Sequence, residues 1–368
     1  MTTATTKTST ATAVTPPAIG YCDLGASIRF PRAPDEESVK DLVRAARRGG
    51  VSTVVVDVSG QPPVDNARFQ AACAALQGHD GVRVVPAVCP VQGGGLADVA
   101  SVERPAAWAT REAPGSSWLV PDEVRFVYKL PAPVDDAVLL RRVAETARAR
   151  HALVVAPSVD GALAAGAVAV EGAVATRLGL PALPEAAEVL GIGRILTIAK
   201  LTGARFHVAG IFTAAGAALL ASSGNDRVTG SVFASHLLLD ETALLARRYD
   251  TRLLRRPPLP TSSSRLALIA AVKEGTLLVS SGHAHVPRRE RDLEPVRATP
   301  GGTALASTAR LLRPLLGDDV LARSFGVLPT RCLGDTTTPV RPPPVPPGLD
   351  APSTDDDDLA RCLQEFSR

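Results

Sequence analysis

The sequence predicts an α/β protein in which short strands alternate with helices along most of the chain. From Ala18 onward, runs rich in β-branched residues recur between segments whose apolar residues have helical spacing. About eight such repeats can be counted, which is the number in a TIM barrel of ~250 residues or more. A doubly wound open sheet gives the same alternation, so the pattern alone leaves both architectures open.

The first repeat runs from Tyr21 to Pro63 and reads as strand, helix and strand. Its helical part places Val39, Leu42 and Val43 on one face, and the following strand is a run of valines. Such a unit starts a parallel sheet and places chemistry at the strand ends. The strands are predicted at 51–58, 82–88, 125–130, 152–156, 205–212, 228–234 and 276–280, with clear helices at 136–150 and 185–202.

One stretch, Gln92 to Pro121, interrupts this alternation. It contains three successive glycines, several prolines and both tryptophans, and is predicted to be a long, partly irregular insertion between the third and fourth strands. Trp108 and Trp118 either anchor this insertion on the rest of the domain or mark an interface.

Composition excludes several function classes. With 45% hydrophobic and 21% charged residues the chain has a globular balance, and a net charge of +3 gives no broad field for nucleic acid or anionic membrane. No apolar run approaches the ~18–20 residues of a membrane span. The five cysteines include no Cys-x-x-Cys pair, which favours a reducing, cytoplasmic location over a disulfide framework.

The two ends differ from the middle. We predict a flexible Thr/Ala-rich tail at 1–17, a barrel at 18–330, a stiff proline-rich linker at 331–354 and a short amphipathic helix at 355–368. In that helix Leu359, Cys362, Leu363 and Phe366 form one apolar stripe, and so short a helix needs a surface to pack on. That surface is either a partner, which would make Leu359, Leu363 and Phe366 docking residues, or the chain's own barrel.

Several blocks resemble the dihydroorotases, which are cyclic amidohydrolases of pyrimidine synthesis. The first strand carries Asp23 and Arg29 in the family's Asp-Leu-His-x-His-Leu-Arg frame. The blocks at 177–188, 202–209 and 236–241 are similar to the family's Leu-Gly-Leu-Pro, Thr-Gly-Ala-Arg and His-Leu-Leu-Leu segments. The resemblance covers roughly residues 19–316 and favours the TIM barrel, here without a complete β-sandwich domain.

The same resemblance shows that the positions at which the family holds its catalytic metal have changed. The two first-strand histidines are Gly25 and Ser27, and the fourth-strand carboxylate is replaced near Lys129. The eighth-strand Asp, which is ligand and general base, is Gly282. The complete set of degenerate positions is Gly25, Ser27, Lys129, Ser158, Gly210, Ser235 and Gly282. Since glycine offers no donor and serine is a poor ligand, we expect no metal, no other cofactor and no catalytic residue.

Other polar residues have two interpretations each. Lys129 either points into the emptied cavity, where its ammonium would replace part of the metal charge, or extends to solvent at the barrel mouth. His283 and His285, with His207 and His236, are either a rival metal site or satisfied core and loop histidines. Cys22 with His283 is a weaker candidate for a nucleophile and base.

Substrate recognition is changed as well. The family binds the substrate carboxylate through the first-strand Arg and two Asn residues, and these positions are Arg29, Gly60 and Arg256 here. Arg29 and Arg256 are therefore candidates for residual anion binding. A salt bridge from Arg29 to Asp23 or Asp57 would also explain the retained arginine.

The resemblance implies a non-catalytic dihydroorotase homologue, similar to the inactive subunits of bacterial aspartate transcarbamoylase. In that class the barrel is a scaffold that holds catalytic transcarbamoylase trimers, commonly six copies with six, so we expect that partner and self-association. The alternatives are a divergent cyclic amidohydrolase with an altered or metal-independent site, and a ligand-binding regulator that uses Arg29 and Arg256.

Overall fold

The computed structural model contains one eight-stranded, all-parallel sheet that curls into a nearly closed barrel. It describes residues 20–28, 37–58, 73, 75, 81–97, 124, 126–247, 249–334 and 357–366. The strands follow chain order around the barrel, so each pairs with its sequence neighbours. They are β1 Tyr21–Ile28, β2 Val51–Val58, β3 Arg83–Val88, β4 Phe126–Lys129, β5 Ala152–Pro157, β6 Arg205–Ala209, β7 Val228–Phe233 and β8 Leu278–Ser280.

Helices cover the outside of the barrel. The longer ones are α1 Val39–Arg48, α2 Ala137–Ala149, α3 Glu185–Thr202, α4 Ala214–Ser222, α5 Ser262–Glu274, α6 Thr308–Leu316 and α7 Asp358–Phe366. Shorter helical segments lie at Ala173–Leu178, Ala234–Leu238, Thr242–Ala246, Thr251–Leu253, Arg288–Arg291, Asp318–Ala322, Arg323–Val327 and Leu328–Cys332. Among the described residues, none of these helices is both long and apolar enough to cross a bilayer.

Local sequence explains where the helices begin. Ser38 and Asp41 form a reciprocal capping box at the start of α1, with the Asp41 amide donating to Ser38 Oγ at 3.2 Å. Asp136 caps α2 by accepting from the amides of Val138 and Leu139. The predicted helices at 136–150 and 185–202 therefore match α2 and α3 closely.

Two apolar layers stabilise the fold. Cys22, Val55 and Leu278 belong to a buried cluster that fills the inside of the barrel, because alternate strand residues point inward. A larger cluster lies between the strands and the surrounding helices and includes Leu42 and Ile192. The predicted TIM barrel is thus confirmed.

The chain after α6 seals the bottom of the barrel, where the strands begin. Cys332 and Leu333 belong to the cluster inside the barrel, and Arg205 donates to the carbonyl of Cys332 at 3.2 Å. The ring of Phe325 stacks on that of Tyr21 with centroids 5.2 Å apart. Barrel packing therefore extends past the predicted boundary at residue 330.

The barrel closes between β1 and β8 mainly through side chains. One carboxylate oxygen of Asp23 accepts from Ser280 Oγ at 2.8 Å and from the amide of Ser281 at 3.0 Å, and the other accepts from Ser281 Oγ. Further along, the amide of Ser27 donates to the carbonyl of His283 at 2.8 Å. Asp23 thus fixes the first strand of the barrel to the last.

The C-terminal helix α7 packs on the chain's own barrel. Leu359 is 0% exposed within the main core cluster, and Leu363 packs against that cluster. The carboxylate of Asp358 accepts a hydrogen bond from Arg291 at 2.8 Å. The carboxylate of Glu365 accepts two hydrogen bonds from Arg252, at 2.8 and 2.9 Å. Of the two surfaces predicted for this helix, the structure therefore has Leu359 and Leu363 packed on the chain's own barrel.

Some sequence predictions fall where the structure gives no description. The tail at 1–17, Trp108 and Trp118, most of the proline-rich linker, Arg29 and the side chain of Phe366 lie outside the described residues. Of the insertion after β3, the structure describes a tight hairpin that pairs Val91–Gln92 with Gly95–Leu96. The strand predicted at 205–212 ends earlier, at Ala209, and Gly210 follows it with a φ of 79°.

Candidate functional site

A cavity of about 620 Å³ opens at the top of the barrel, where the carboxyl ends of the strands meet. It is lined by residues that follow several different strands, so the barrel brings together positions far apart in sequence. Of the candidate site residues, Gly25, Ser27, Lys129, Ser158, Arg256 and Gly282 line it.

Lys129 forms a polar cluster with Asp57 and Ser27 inside this cavity. Its ammonium lies 2.6 Å from Asp57 Oδ1, 3.2 Å from Ser27 Oγ and 3.4 Å from the carbonyl of Ala26. Ser27 Oγ also donates to Asp57 Oδ1. The side chain of Lys129 is only 13% exposed, so it lies in the cavity and does not extend to solvent. Asp57 thereby gains the counter-charge that a buried carboxylate needs.

The ring of Phe233, at the end of β7, fills the space in front of two glycines. A Cβ at Gly210 would lie 2.8 Å from Phe233 Cε2, and a Cβ at Gly282 would lie 2.7 Å from Phe233 Cγ. Both glycines have positive φ, 79° and 65°, which disfavours any L side chain. A Cβ at Gly25 would collide with Ser280 Oγ and come within 3.9 Å of the same ring.

Ser158 belongs to a buried hydrogen-bond network just beyond the ends of β5 and β6. Its hydroxyl donates to the carbonyl of Gly210 at 3.0 Å. Beside it, Glu188 of α3 accepts from the amides of Phe212 and Thr213 at 2.9 and 2.8 Å and from Thr213 Oγ1. Burial raises the pKa of Glu188 to about 7, against the opposing effect of these donors. In the sequence Glu188 stands only as the last residue of the block at 177–188, and nothing there indicates this role.

Ser235 and His236, after β7, face a proline corner. His236 Nε2 lies 3.1 and 2.9 Å from the carbonyls of Pro257 and Pro258, which can only accept, so it carries the proton. Ser235 Oγ lies 3.3 Å from Nδ1. Burial lowers the pKa of His236 to about 4, and the ring is neutral.

The other buried histidines are also satisfied by protein groups. His207 contacts Thr229 Oγ1 and Ser231 Oγ at 2.9 Å each, and burial together with the charge of Lys129 lowers its pKa to about 3. His283 Nδ1 faces two backbone amides, and its Nε2 lies 2.6 Å from Glu37. Within the described ranges, no group of three His, Cys, Asp or Glu side chains is arranged to hold a metal ion.

Two further candidates have clear positions. Cys22 is fully buried, and burial raises the pKa of its thiol to about 12, which does not suit a nucleophile. Arg256 is exposed at the rim of the cavity. Its neighbour Arg255 is buried and donates to three backbone carbonyls, so it supports the loop.

Comparison with known proteins identifies the family. No family model matches the chain. A dihydroorotase from Anaeromyxobacter dehalogenans is 31% identical over 325 residues, which cover 86% of this chain and 72% of that protein. The chain belongs to the dihydroorotase family.

Two further relatives show similar identities to this chain. A dihydroorotase from Streptomyces coelicolor is 29% identical over 315 residues, covering 84% of this chain and 70% of that protein. A dihydroorotase-like protein from Pseudomonas putida is 30% identical over 298 residues, covering 80% of this chain and 66% of that protein.

Solved structures agree on the fold. A D-hydantoinase (dihydropyrimidinase) from Thermus sp. superposes with a TM-score of 0.65 at 16% identity, covering 88% of this chain and 73% of the other. A dihydropyrimidinase from Brevibacillus agri gives 0.64 at 16% identity, covering 88% and 74%. This chain and these proteins thus share one barrel fold.

The residues present here do not fit the divalent metal of the dihydroorotase family. Tetrahedral or similar sites need several nitrogen or oxygen donors to converge at ~2.0–2.2 Å. At the corresponding places this chain offers Gly25, Gly210 and Gly282, with the apolar ring of Phe233 in front of the last two. The ammonium of Lys129 already neutralises Asp57 and would repel a cation.

Proposed function

We propose that this chain is a non-catalytic member of the dihydroorotase family with a structural role in pyrimidine biosynthesis. The observation that carries the proposal is the ring of Phe233, which is packed against Gly210 and Gly282 where ligand side chains would have to project. A histidine or carboxylate at either position would require the ring to move and the backbone to leave its left-handed conformation.

The proton-transfer chemistry of the family also has no replacement at this site. A general base must lie within hydrogen-bond reach of the proton that it removes and must be able to accept it. Gly282 has no such group, and His283 directs its protonated nitrogen at Glu37. The carboxylate of Asp57 lines the cavity and is paired with Lys129.

We further propose that the barrel is a scaffold for the catalytic subunit of aspartate transcarbamoylase, as in the inactive homologues that it resembles. The hydrogen bonds that hold the barrel together, such as those of Asp23 and Glu188, are complete although the catalytic positions have changed. That pattern supports a role that depends on the fold. A cytoplasmic complex of six copies with six is the arrangement that we propose.

Two measurements test these proposals. Purified chain, supplied with excess Zn²⁺, is expected to leave carbamoyl aspartate and dihydroorotate unconverted, while an active dihydroorotase in the same assay serves as control. Turnover abolished by chelation would refute the non-catalytic proposal. Co-expression with aspartate transcarbamoylase and native mass measurement test the scaffold, and separate elution of the two proteins would refute it.

The second candidate is a divergent cyclic amidohydrolase with a metal-independent site. It is favoured by the open cavity of about 620 Å³, which contains the hydroxyl of Ser27, the carboxylate of Asp57 and the amine of Lys129. Arg256 at its rim supports the third candidate, a regulator that binds a small anion. Screening cyclic amides for hydrolysis, and small anions for thermal stabilisation, separates these candidates.

A further inference from the structure

Lys129 differs from the other lysines that the structure describes. Lys40, Lys200 and Lys273 are exposed on the outer helices α1, α3 and α5. The side chain of Lys129 is 13% exposed and lines the cavity at the top of the barrel. Lysines that form covalent bonds with carbonyl compounds are found in such desolvated sites, beside a group that can take up a proton.

Asp57 and Ser27 provide a route for the protons of this ammonium. Lysine attacks a carbonyl carbon only as the free amine, so the ammonium must first lose a proton. Asp57 Oδ1, which lies 2.6 Å from Lys129 Nζ, is placed to accept it. Ser27 Oγ lies 3.2 Å from Nζ and also bonds to Asp57, so its hydroxyl links the nitrogen with the carboxylate.

The rest of the cavity wall is largely apolar. The volume of about 620 Å³ lies within the range of roughly 300–1,000 Å³ that small-molecule sites occupy. The apolar side chains of the wall include Leu130, Val155, Val159, Leu183 and Phe233. A ligand that reaches Lys129 therefore gains affinity by burying an apolar body against this wall.

We propose that Lys129 binds a small aldehyde or ketone with an apolar body, reversibly and covalently, as an imine. The ammonium gives one proton to Asp57, and the freed lone pair of the nitrogen forms a bond to the carbonyl carbon. A second proton moves from that nitrogen to the carbonyl oxygen through Ser27. The proton held by Asp57 then joins the same oxygen, which leaves as water, and the product is a protonated imine.

This step keeps the charges of the cavity in balance. The protonated imine carries the single positive charge that the ammonium carried, and it stays beside the carboxylate of Asp57. The reaction consumes one carbonyl compound, releases one water and needs no oxidant or reductant. The inference goes beyond the proposed scaffold function and does not depend on it, because imine formation needs neither a metal nor transcarbamoylase.

Reductive trapping tests the proposal on the full chain. The protein is incubated with benzaldehyde and cyanoborohydride, which reduces an imine to a stable amine, and the labelled peptides are quantified by mass spectrometry. We expect the labelling rate of Lys129 to saturate with benzaldehyde concentration. At low concentration it should exceed the rate of exposed Lys200 about tenfold or more, because the ring is buried before it reacts. Glycolaldehyde, which has the same carbonyl group without an apolar body, is the matched probe and should show no preference for Lys129.

Two serine variants test the proton route without removing the ion pair of Lys129 and Asp57. Ser27→Ala is expected to slow the labelling of Lys129 about tenfold while Lys200 is labelled as before. Ser158→Ala, at another position that lines the cavity, is the matched control and should leave both rates unchanged. Thermal melting shows that both variants are folded.

Three results would overturn the proposal. One is label on the exposed lysines alone. Another is labelling of Lys129 that rises linearly with benzaldehyde and no faster than that of Lys200. The third is an equal rate in Ser27→Ala and wild type, because the cluster around Lys129 would then take no part in the reaction.

Discussion

The ammonium nitrogen of Lys129 lies 2.6 Å from Oδ1 of Asp57, inside the cavity at the top of the barrel. Both side chains are nearly buried, so each depends on the other for charge compensation. The charge of the Asp57 carboxylate in this cavity is thus compensated by a protein group.

Lys129→Met is expected to destabilise the fold by about 2–4 kcal/mol, because it leaves Asp57 with a buried charge and no cation. Urea unfolding measures the change. The matched variant Lys129→Met with Asp57→Asn removes both charges and should recover most of the loss. A single variant as stable as wild type would contradict a structural role for the pair.

Restoring the first-strand ligands through Gly25→His with Ser27→His is expected to yield neither bound zinc nor hydrolysis. The new imidazole at 25 would collide with Ser280, and the change at 27 removes the hydroxyl that contacts Asp57 and Lys129. Gly282 would still supply no base, and losses in one catalytic unit are not additive.

Metal content and turnover are measured on the same preparation of this double variant. Phe233→Ala added to it provides more room and is the matched control for steric exclusion. Measurable hydrolysis by either variant would show that a base lies elsewhere in the cavity.

The raised pKa of Glu188 is expected to make the free energy of unfolding depend on pH near neutrality. Burial raises the pKa of Glu188 from its ordinary value of 4.5 to about 7, so between these pH values the folded chain holds a proton that the unfolded chain has lost. This contribution is complete below pH 4.5 and is lost as pH rises through 7. Over that window it is on the order of 3 kcal/mol.

Chemical denaturation of wild type and Glu188→Gln at several pH values tests this. The difference in unfolding free energy between the two proteins should change between acidic and neutral pH, with wild type losing stability relative to the variant as pH rises. Because Gln does not titrate, parallel pH profiles would rule out the shifted pKa.

Leu359→Ala is expected to cost about 2–4 kcal/mol, because it removes a fully buried side chain that fixes α7 to the barrel. Thermal melting measures the loss, and Gln364→Ala, at an exposed position of the same helix, is the control.

Truncation after Pro347 removes α7 and should likewise lower the melting temperature. The number of subunits in the assembly is expected to stay the same. An assembly that dissociates while the melting temperature stays constant would restore the partner-docking interpretation.

The strands and long helices could be predicted because local pattern determines them. The valine run of β2 and the capped, periodic sequence of α2 carry their conformations in a few adjacent residues. The strand predicted at 205–212 extends beyond β6 because Ile211 and Phe212 are apolar, whereas in the structure these two residues are buried in the loop after Gly210. Apolar character alone does not separate a strand from a buried loop.

The site was only partly predictable. The positions of Gly25, Gly210 and Gly282 could be predicted from the blocks that resemble the dihydroorotases, and so could their lack of donors. The role of Phe233 could not be predicted from the sequence. It depends on the direction of the side chain where β7 ends and the helix at Ala234 begins. Glu188 was hidden for a similar reason, since its partners Phe212 and Thr213 become neighbours only in the folded barrel.

The bonds from Asp23 to Ser280 and Ser281 join residues more than 250 positions apart in the chain. During synthesis, β1 emerges from the ribosome long before its last neighbour exists, so the ring of strands cannot close until the eighth repeat has been made. Until then the nascent sheet has two unpaired edges, which are prone to association with other chains. Closure brings together strands that are far apart in the sequence, and the entropy cost of closing a loop grows with its length. We therefore expect closure of the barrel to be a late and slow step of folding. Until closure, an incomplete chain is therefore more exposed to association than the finished barrel.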